Sequence, residues 1–364
     1  MSALGFFPMF SLIAQISRQP SAPLKLWLRT TSHKLRPPCQ VAHTPVIRHR
    51  QEALLAAGLA GPHQCATLRV ERKPGPLPTI VVGGFVPDAT EALYLVRGSL
   101  LHQGSLYYFN YPRRGFSTEL FFAQLGDLVE ELAVHSGRPP VILGISFGAG
   151  LVMEWLRRTG HAAAMPTLSG LVLVSPVACV EDLVDSSKPK PTTLLGRVIK
   201  PIIDADGRDD AAVIERSRSV FLKMFESGAQ NREALRLLLS AGELRRLRDA
   251  VLDTINSIEP AAARARVQAL CNFAPFSSAR PLCHAPTLVL FSEKESSVLC
   301  ANAPTVRELS TRTSAWFPHG RCHTVTNQLD NPVQHASLIF HARNFQPLLT
   351  GFYRSLRQKQ HQAA

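Results

Sequence analysis

Residues 141–150 read Val-Ile-Leu-Gly-Ile-Ser-Phe-Gly-Ala-Gly, and no other segment limits the fold as much. An apolar, β-branched run of five predicts a strand. It passes without a spacer into Gly144-x-Ser146-x-Gly148, and the next residues, 151–156, carry a helical pattern. Pro139-Pro140 mark the loop in front. A strand that turns directly into a helix holds its middle residue in a strained backbone conformation, so the residues two positions away must lack bulk. That geometry lifts the Ser146 hydroxyl above the carboxyl end of a sheet, next to a helix amino terminus. Ser146 is thereby a candidate nucleophile, and the ordinary alternative is a serine in a glycine-rich turn.

Segments on either side continue the alternation. Strands are expected at 66–71, 79–82, 105–111, 141–145 and 171–174, and helices at 47–59, 88–102 and 118–135. Ser117 is placed to cap the third of these helices. This order predicts an α/β fold, a mostly parallel sheet with helices on both faces. From about residue 179 to 280 no strand is evident. Helical periodicity recurs at 209–226, 231–239, 243–258 and 261–273, and a single crossover needs far fewer residues. This stretch is read as an inserted α-helical cap. The sheet resumes at 286–291, a last short strand is read at 313–317, and a helix at 332–354 closes the domain. The chain thus divides into a basic extension (1–44), a first core part (45–178), the cap (179–280) and a second core part with a basic tail (281–364).

The chain has 364 residues and a formal net charge of +13. Eleven of the thirteen excess positive charges fall in residues 1–50 and 331–364, which contain no Asp or Glu. Basic ends on a nearly neutral body are a weak argument for nucleic acid, and none is expected as a partner. Residues 1–16 are uncharged and largely apolar, with basic residues following rather than preceding them. That order does not suit a secretory signal. A flexible extension is one reading, and a weak membrane-surface contact through residues 1–36 is the other. Seven scattered cysteines with no Cys-x-x-Cys pair give neither a zinc site nor a disulfide framework, so a reducing, cytoplasmic setting is expected.

With Gly83-Gly84-Phe85 after the second strand, and residues 110–117 (Asn-Tyr-Pro-Arg-Arg-Gly-Phe-Ser) after the third, the chain resembles the α/β-hydrolase family over roughly residues 65–178 and 281–355. In that family the elbow serine is followed in sequence by an acid and then a histidine, each just after a strand. The resemblance implies Ser146 as nucleophile, Glu295 as acid and His323 as base, with His319 the competing histidine. Glu295 stands where the family usually has Asp, so Glu293 and Asp182 are kept as alternative acids. The backbone N–H groups of Phe85 and Phe147 are implied as the oxyanion hole, and Gly83, Gly84, Gly144 and Gly148 as the turn glycines.

Such a constellation implies a serine hydrolase acting on a carboxylic ester with an apolar acyl group, and it needs no metal or organic cofactor. A serine argues against the dehalogenase and epoxide-hydrolase branches, which use Asp. An acyltransferase on the same acyl-enzyme, or a non-catalytic binding protein with this fold, are the rival readings. Arg113 and Arg114 either contact an anionic group or brace the turn. Cys322 is read as a buried spectator.

Overall fold

The computed structural model describes residues 40–160, 166–204, 211–229, 241–278, 280–328 and 331–363. Eight strands form one sheet: β1 (Val41–Ala42), β2 (Thr67–Glu71), β3 (Thr79–Val82), β4 (Leu106–Asn110), β5 (Val141–Ile145), β6 (Gly170–Val174), β7 (Thr287–Ser292) and β8 (Gly320–Val325). Their spatial order is β1-β2-β4-β3-β5-β6-β7-β8. β2 is antiparallel to both β1 and β4, and every pairing from β4 to β8 is parallel. Val41 and Ala42 therefore belong to the sheet, although the sequence places them in the extension. Residues 1–36, with the membrane-contact reading, lie outside the described residues.

Strands β3 to β7 are buried at every position and mostly apolar because both faces are covered. Successive side chains alternate between faces, so Ile80, Val82, Ile142, Leu171, Leu173, Val289 and Phe291 join one core. Val81, Leu143, Ile145, Val172, Val174, Leu288 and Leu290 join the other. Each such side chain removed from water contributes about 1.5–3 kcal/mol. The helices are α1 (His49–Ala56), α2 (Ala89–Ala92), α3 (Arg97–Leu101), α4 (Thr118–Ser136), α5 (Phe147–Thr159), α6 (Leu194–Asp204), α7 (Ala211–Ala229), α8 (Ala241–Ser257), α9 (Pro260–Cys271), α10 (Pro304–Trp316) and α11 (Ala342–Ala363). Helices α4, α5, α9 and α10 cover the first core, and α3 and α11 the second.

Local chemistry accounts for most of these boundaries. Ser117 Oγ accepts the Leu120 N–H at 3.2 Å at the start of α4, and Gly137 ends it at φ 62°. The expected helix 88–102 is split into α2 and α3. Between them the chain tightens, with the Tyr94 N–H bonded to the Glu91 carbonyl three residues back. The cap lies between β6 and β7 and contains α6 to α9, with no strand among its described residues. The sequence reading missed α6, and its helix 231–239 falls outside the described residues.

The last strand lies later in the chain than its sequence pattern predicts. Residues 313–317 do not form a strand. They are the end of α10, where Phe317 N–H bonds Thr313 O at 2.8 Å. The helix is kinked at Arg312 (φ −132°), next to two threonines whose hydroxyls bond back to carbonyls four residues earlier. Thr311 Oγ1 donates to Arg307 O at 2.7 Å, and Thr313 Oγ1 to Leu309 O. The last strand begins after Pro318-His319, at Gly320, and the closing helix begins at Ala342 rather than near 332.

Glu154 ties α5 to the cap. Its side chain is fully buried and accepts from Arg157 (2.6 and 2.8 Å), Arg158 (2.8 Å) and the Ala274 N–H (3.3 Å). Burial alone favours the neutral acid, but the hydrogen bonds from the two arginines favour the anion more and hold the carboxyl below its ordinary 4.5. A folded-state pKa below the unfolded one adds stability that is present above 4.5 and disappears as pH falls through the folded value. Glu154→Gln is expected to cost about 2 kcal/mol at pH 7, the range for charged hydrogen bonds. The gap in thermal midpoint between the two proteins should narrow on acidification below pH 4.5. A gap independent of pH would show that the charge contributes nothing.

Candidate active site

Ser146 sits at the end of β5 and the start of α5, with φ 51° and ψ −119°. L-residues avoid positive φ because Cβ crowds the following carbonyl, and the surroundings fix it here. The Ser146 N–H bonds Val174 O at 2.8 Å, and Ser146 O accepts from Gly150 N at 3.2 Å and Val177 N at 3.1 Å. The flanking glycines are required by close approach. A Cβ on Gly144 would meet Ala149 Cα at 2.7 Å, and one on Gly148 would strike the carbonyls of Val82 and Gly83 at the end of β3.

The structure brings Ser146 together with His335, a residue the sequence reading did not select. Ser146 Oγ lies 2.9 Å from His335 Nε2, and His335 Nδ1 lies 2.5 Å from Glu295 Oε2. Both partners are largely buried, at 7% and 11% side-chain exposure, so water competes weakly for these bonds. A carboxylate only accepts, so the imidazole proton is on Nδ1, which leaves Nε2 free to accept the Ser146 hydroxyl proton.

His323, the expected base, is instead within β8, paired in register with Leu290, and its side chain is exposed. His319 is exposed in the turn before β8. The reason is the misplaced last strand. With β8 at 320–325, His335 falls between this strand and α11, not inside the helix expected at 332–354. The available signal was the run Cys322-His323-Thr324-Val325-Thr326 after Gly320, with Asn331-Pro332 as a loop marker.

Backbone pairing sets the His335–Glu295 contact. The Lys294 N–H bonds Val333 O at 2.9 Å, and Lys294 forms a parallel bridge with Gln334, so the next residues on each segment are side by side. Glu295 Oε1 is held in turn by the Ser292 N–H at 2.6 Å and the Ser175 hydroxyl at 2.7 Å.

The two alternative acids have other partners. Exposed Glu293 accepts backbone N–H groups of Asn327 (3.1 Å) and Val333 (3.4 Å) through Oε2, bracing the loop that carries His335. Asp182 is fully buried and accepts from the backbone of Ala178 (2.9 Å), Cys179 (3.3 Å) and Thr305 (2.9 Å). Burial pushes its carboxyl up from the ordinary value against those hydrogen bonds. Its contacts join the end of β6 to the start of α10. Cys322 packs against the first core, and burial raises its thiol pKa.

The turn Gly83-Gly84-Phe85 follows β3 and faces the serine: a Cβ on Gly84 would lie 3.5 Å from Ser146 Cβ. Phe147 occupies the first position of α5, where N–H groups have no acceptor within the helix. The carbonyl of Phe85 is fixed from the cap. Arg266 on α9 is completely buried and donates to Phe85 O at 3.1 Å and Pro112 O at 2.9 Å. Its guanidinium lies over the rings of Tyr111 and Phe85, 4.9 and 5.6 Å from their centroids, and burial lowers it to about 10. Tyr111 in turn donates to Gly83 O at 2.7 Å. Arg113 is paired with Asp88 at 2.5 and 3.1 Å, while Arg114 meets Glu259 at 3.6 Å on the surface. Arg113 thus braces the turn, and Arg114 is largely exposed.

A cavity of about 430 Å³ opens beside Ser146 and His335. Phe85, Phe221, Phe225, Val251, Ile255 and Phe340 make much of its wall, so the cap supplies a large share of the apolar surface. Lys223, Ser297, Gln334 and Ser337 are polar exceptions. Among the described residues, no helix is long and apolar enough to cross a membrane.

No protein-family model and no curated protein sequence matches this chain. Solved structures do. An esterase from Thermogutta terrifontis is similar over 87% of this chain and 99% of its own, with a TM-score of 0.52 at 17% identity. An esterase from Rhodococcus is similar over 80% and 96%, with 0.51 at 15%. An epoxide hydrolase from Bacillus megaterium is similar over 80% and 98%, with 0.55 at 11%. Identities this low carry the fold and not the reaction, as a set joining esterases with an epoxide hydrolase illustrates. Sheet order, helices on both faces and the helical insertion agree with these likenesses: the chain has the α/β-hydrolase fold.

Proposed function

We propose that the protein is a serine hydrolase that cleaves a carboxylic ester of an apolar acyl group, with Ser146 as nucleophile, His335 as general base and Glu295 as its orienting acid. The observation that carries this reading is the pair of contacts Ser146 Oγ–His335 Nε2 at 2.9 Å and His335 Nδ1–Glu295 Oε2 at 2.5 Å.

In this reading His335 Nε2 takes the hydroxyl proton as Ser146 Oγ attacks the acyl carbon, which raises the reactivity of an otherwise weak nucleophile. The imidazolium is stabilised by Glu295, and it returns the proton to the departing alcohol oxygen. Water then repeats the cycle on the acyl-serine. The oxyanion is assigned to the N–H groups of Phe147 and Phe85, with the α5 amino end adding positive potential. The cavity wall of cap residues supports an apolar acyl group. Cytoplasmic localisation belongs to the same reading, on cysteine usage alone.

Ester kinetics on variants test the assignment. Ser146→Ala and His335→Ala should each lower kcat for p-nitrophenyl butyrate by at least about 10³-fold and abolish the burst. His323→Ala should stay within about twofold of wild type. Loss of activity in His323→Ala with His335→Ala unaffected would refute the assignment.

The cavity makes a second prediction. Ile255→Phe should reduce kcat/KM for octanoate about tenfold and for acetate less than about threefold, on the scale of one or two methylenes in an apolar pocket. Equal loss for both esters would place the acyl chain elsewhere.

A further inference from the structure

Among the described residues, three residues other than glycine have positive φ: Ser146 (51°), Ser175 (44°) and Ala336 (50°). All three lie in one hydrogen-bonded group. Strained backbone of this kind persists where the surroundings over-determine it, and it concentrates at functional sites. Ser146 is accounted for by the turn. The other two meet each other, because the Ala336 N–H donates to Ser175 Oγ at 3.0 Å.

Ser175 directly follows β6 and is completely buried. Its Oγ lies 2.7 Å from Glu295 Oε1, 3.0 Å from Ala336 N and 3.2 Å from Ser292 Oγ. The carboxylate and the amide fix the direction of the first two bonds: Ser175 donates to Glu295 and accepts from Ala336. The remaining lone pair accepts the Ser292 hydroxyl, which completes the capacity of a serine hydroxyl. Its backbone is fixed as well, with Ser175 N–H bonded to Leu290 O at 2.7 Å. A single hydroxyl on the rigid sheet thereby holds the acid by its far oxygen and the residue next to His335 by its N–H. Glycine would adopt φ 44° without strain. Serine at this position therefore keeps its hydroxyl at a conformational cost.

We infer that Ser175 is a positioning residue that locks Glu295 and the His335 loop to the end of β6 and so sets the His335–Glu295 hydrogen bond, an inference whose catalytic consequence rests on the function proposed above. Ser175 is absent from the cavity wall, so it acts through these partners and not on substrate. A carboxylate one methylene longer than aspartate has an additional torsion to restrain, and the Ser175 and Ser292 contacts on Oε1 restrain it.

The test uses full-length protein and the far-downfield proton resonance of the His335–Glu295 bond, identified by its loss in His335→Gln. Ser175→Ala and Ser175→Gly should both shift that resonance upfield and broaden it. Ser175→Gly relieves the strained φ and should keep the wild-type thermal midpoint. It separates positioning from folding should the alanine variant fail to fold. With p-nitrophenyl butyrate, kcat should fall about 10–100-fold in Ser175→Gly with KM within twofold, as expected for slight misplacement of a proton carrier. An unshifted resonance in Ser175→Gly, or an unchanged kcat, overturns the inference. If the wild type hydrolyses no ester, the proposed function fails by itself, and the resonance still decides whether Ser175 sets the bond.

Discussion

The amino end of α5 lies so close to the carboxyl end of β3 that no side chain fits between them, and the arrangement of the site follows from that approach. Gly148 permits it, since a Cβ there would strike the carbonyls of Val82 and Gly83. At this approach Ser146 has positive φ and stands beside Gly84. It also brings the first N–H groups of α5 next to the turn that ends in Phe85, where charge develops in the proposed reaction. The strain stays local because Ser146 is tied on both sides, through Val174 and Val177. A strained turn anchored in fully buried parallel strands is rigid, and rigidity is what preorganised hydrogen-bond donors require.

The second half of the site depends on the sheet too, but through two loops. The pairing of Lys294 with Val333 and Gln334 brings the segment after β7 alongside the segment after β8. Glu295 and His335 meet because they follow that bridge on each side. Hydrophobic packing supports the arrangement from beyond the histidine: Ile339 and Phe340 are buried with Phe225, Leu247, Val251 and Ile255 of the cap. The cap is bound to the core a second time by Arg266, whose guanidinium holds the carbonyl of Phe85. The insertion therefore shapes the cavity and also fixes one side of the Gly83-Gly84-Phe85 turn. A change in cap packing has a direct physical route to the turn beside Ser146.

Local signals account for how much of this was legible in the sequence. Strands β3, β5, β6 and β7 are short apolar runs bounded by breakers, and the turn at Ser146 needs glycines at fixed positions. Glu295 was recognisable because it falls just after β7. The histidine was not, because the segment 313–317, with β-branched Thr313 and aromatic Trp316 and Phe317, carries strand-like chemistry while lying at the kinked end of a helix. That moved the expected last strand forward and took the loop after it from 335 to 323. Helix α6, with Pro201 inside it, and the break between α2 and α3 were hidden for a related reason: both are decided by tertiary packing rather than propensity. Ser175 and Arg266 gave no signal at all. Their roles exist only once segments distant in the chain are brought together.

The most direct test of the central claim is peptide mapping by mass spectrometry after brief exposure of the folded protein to a fluorophosphonate. The account predicts one phosphonylated residue, Ser146, at a labelling rate that collapses in His335→Ala and is unchanged in His323→Ala. Labelling at another residue, or labelling of Ser146 that ignores the loss of His335, would contradict it.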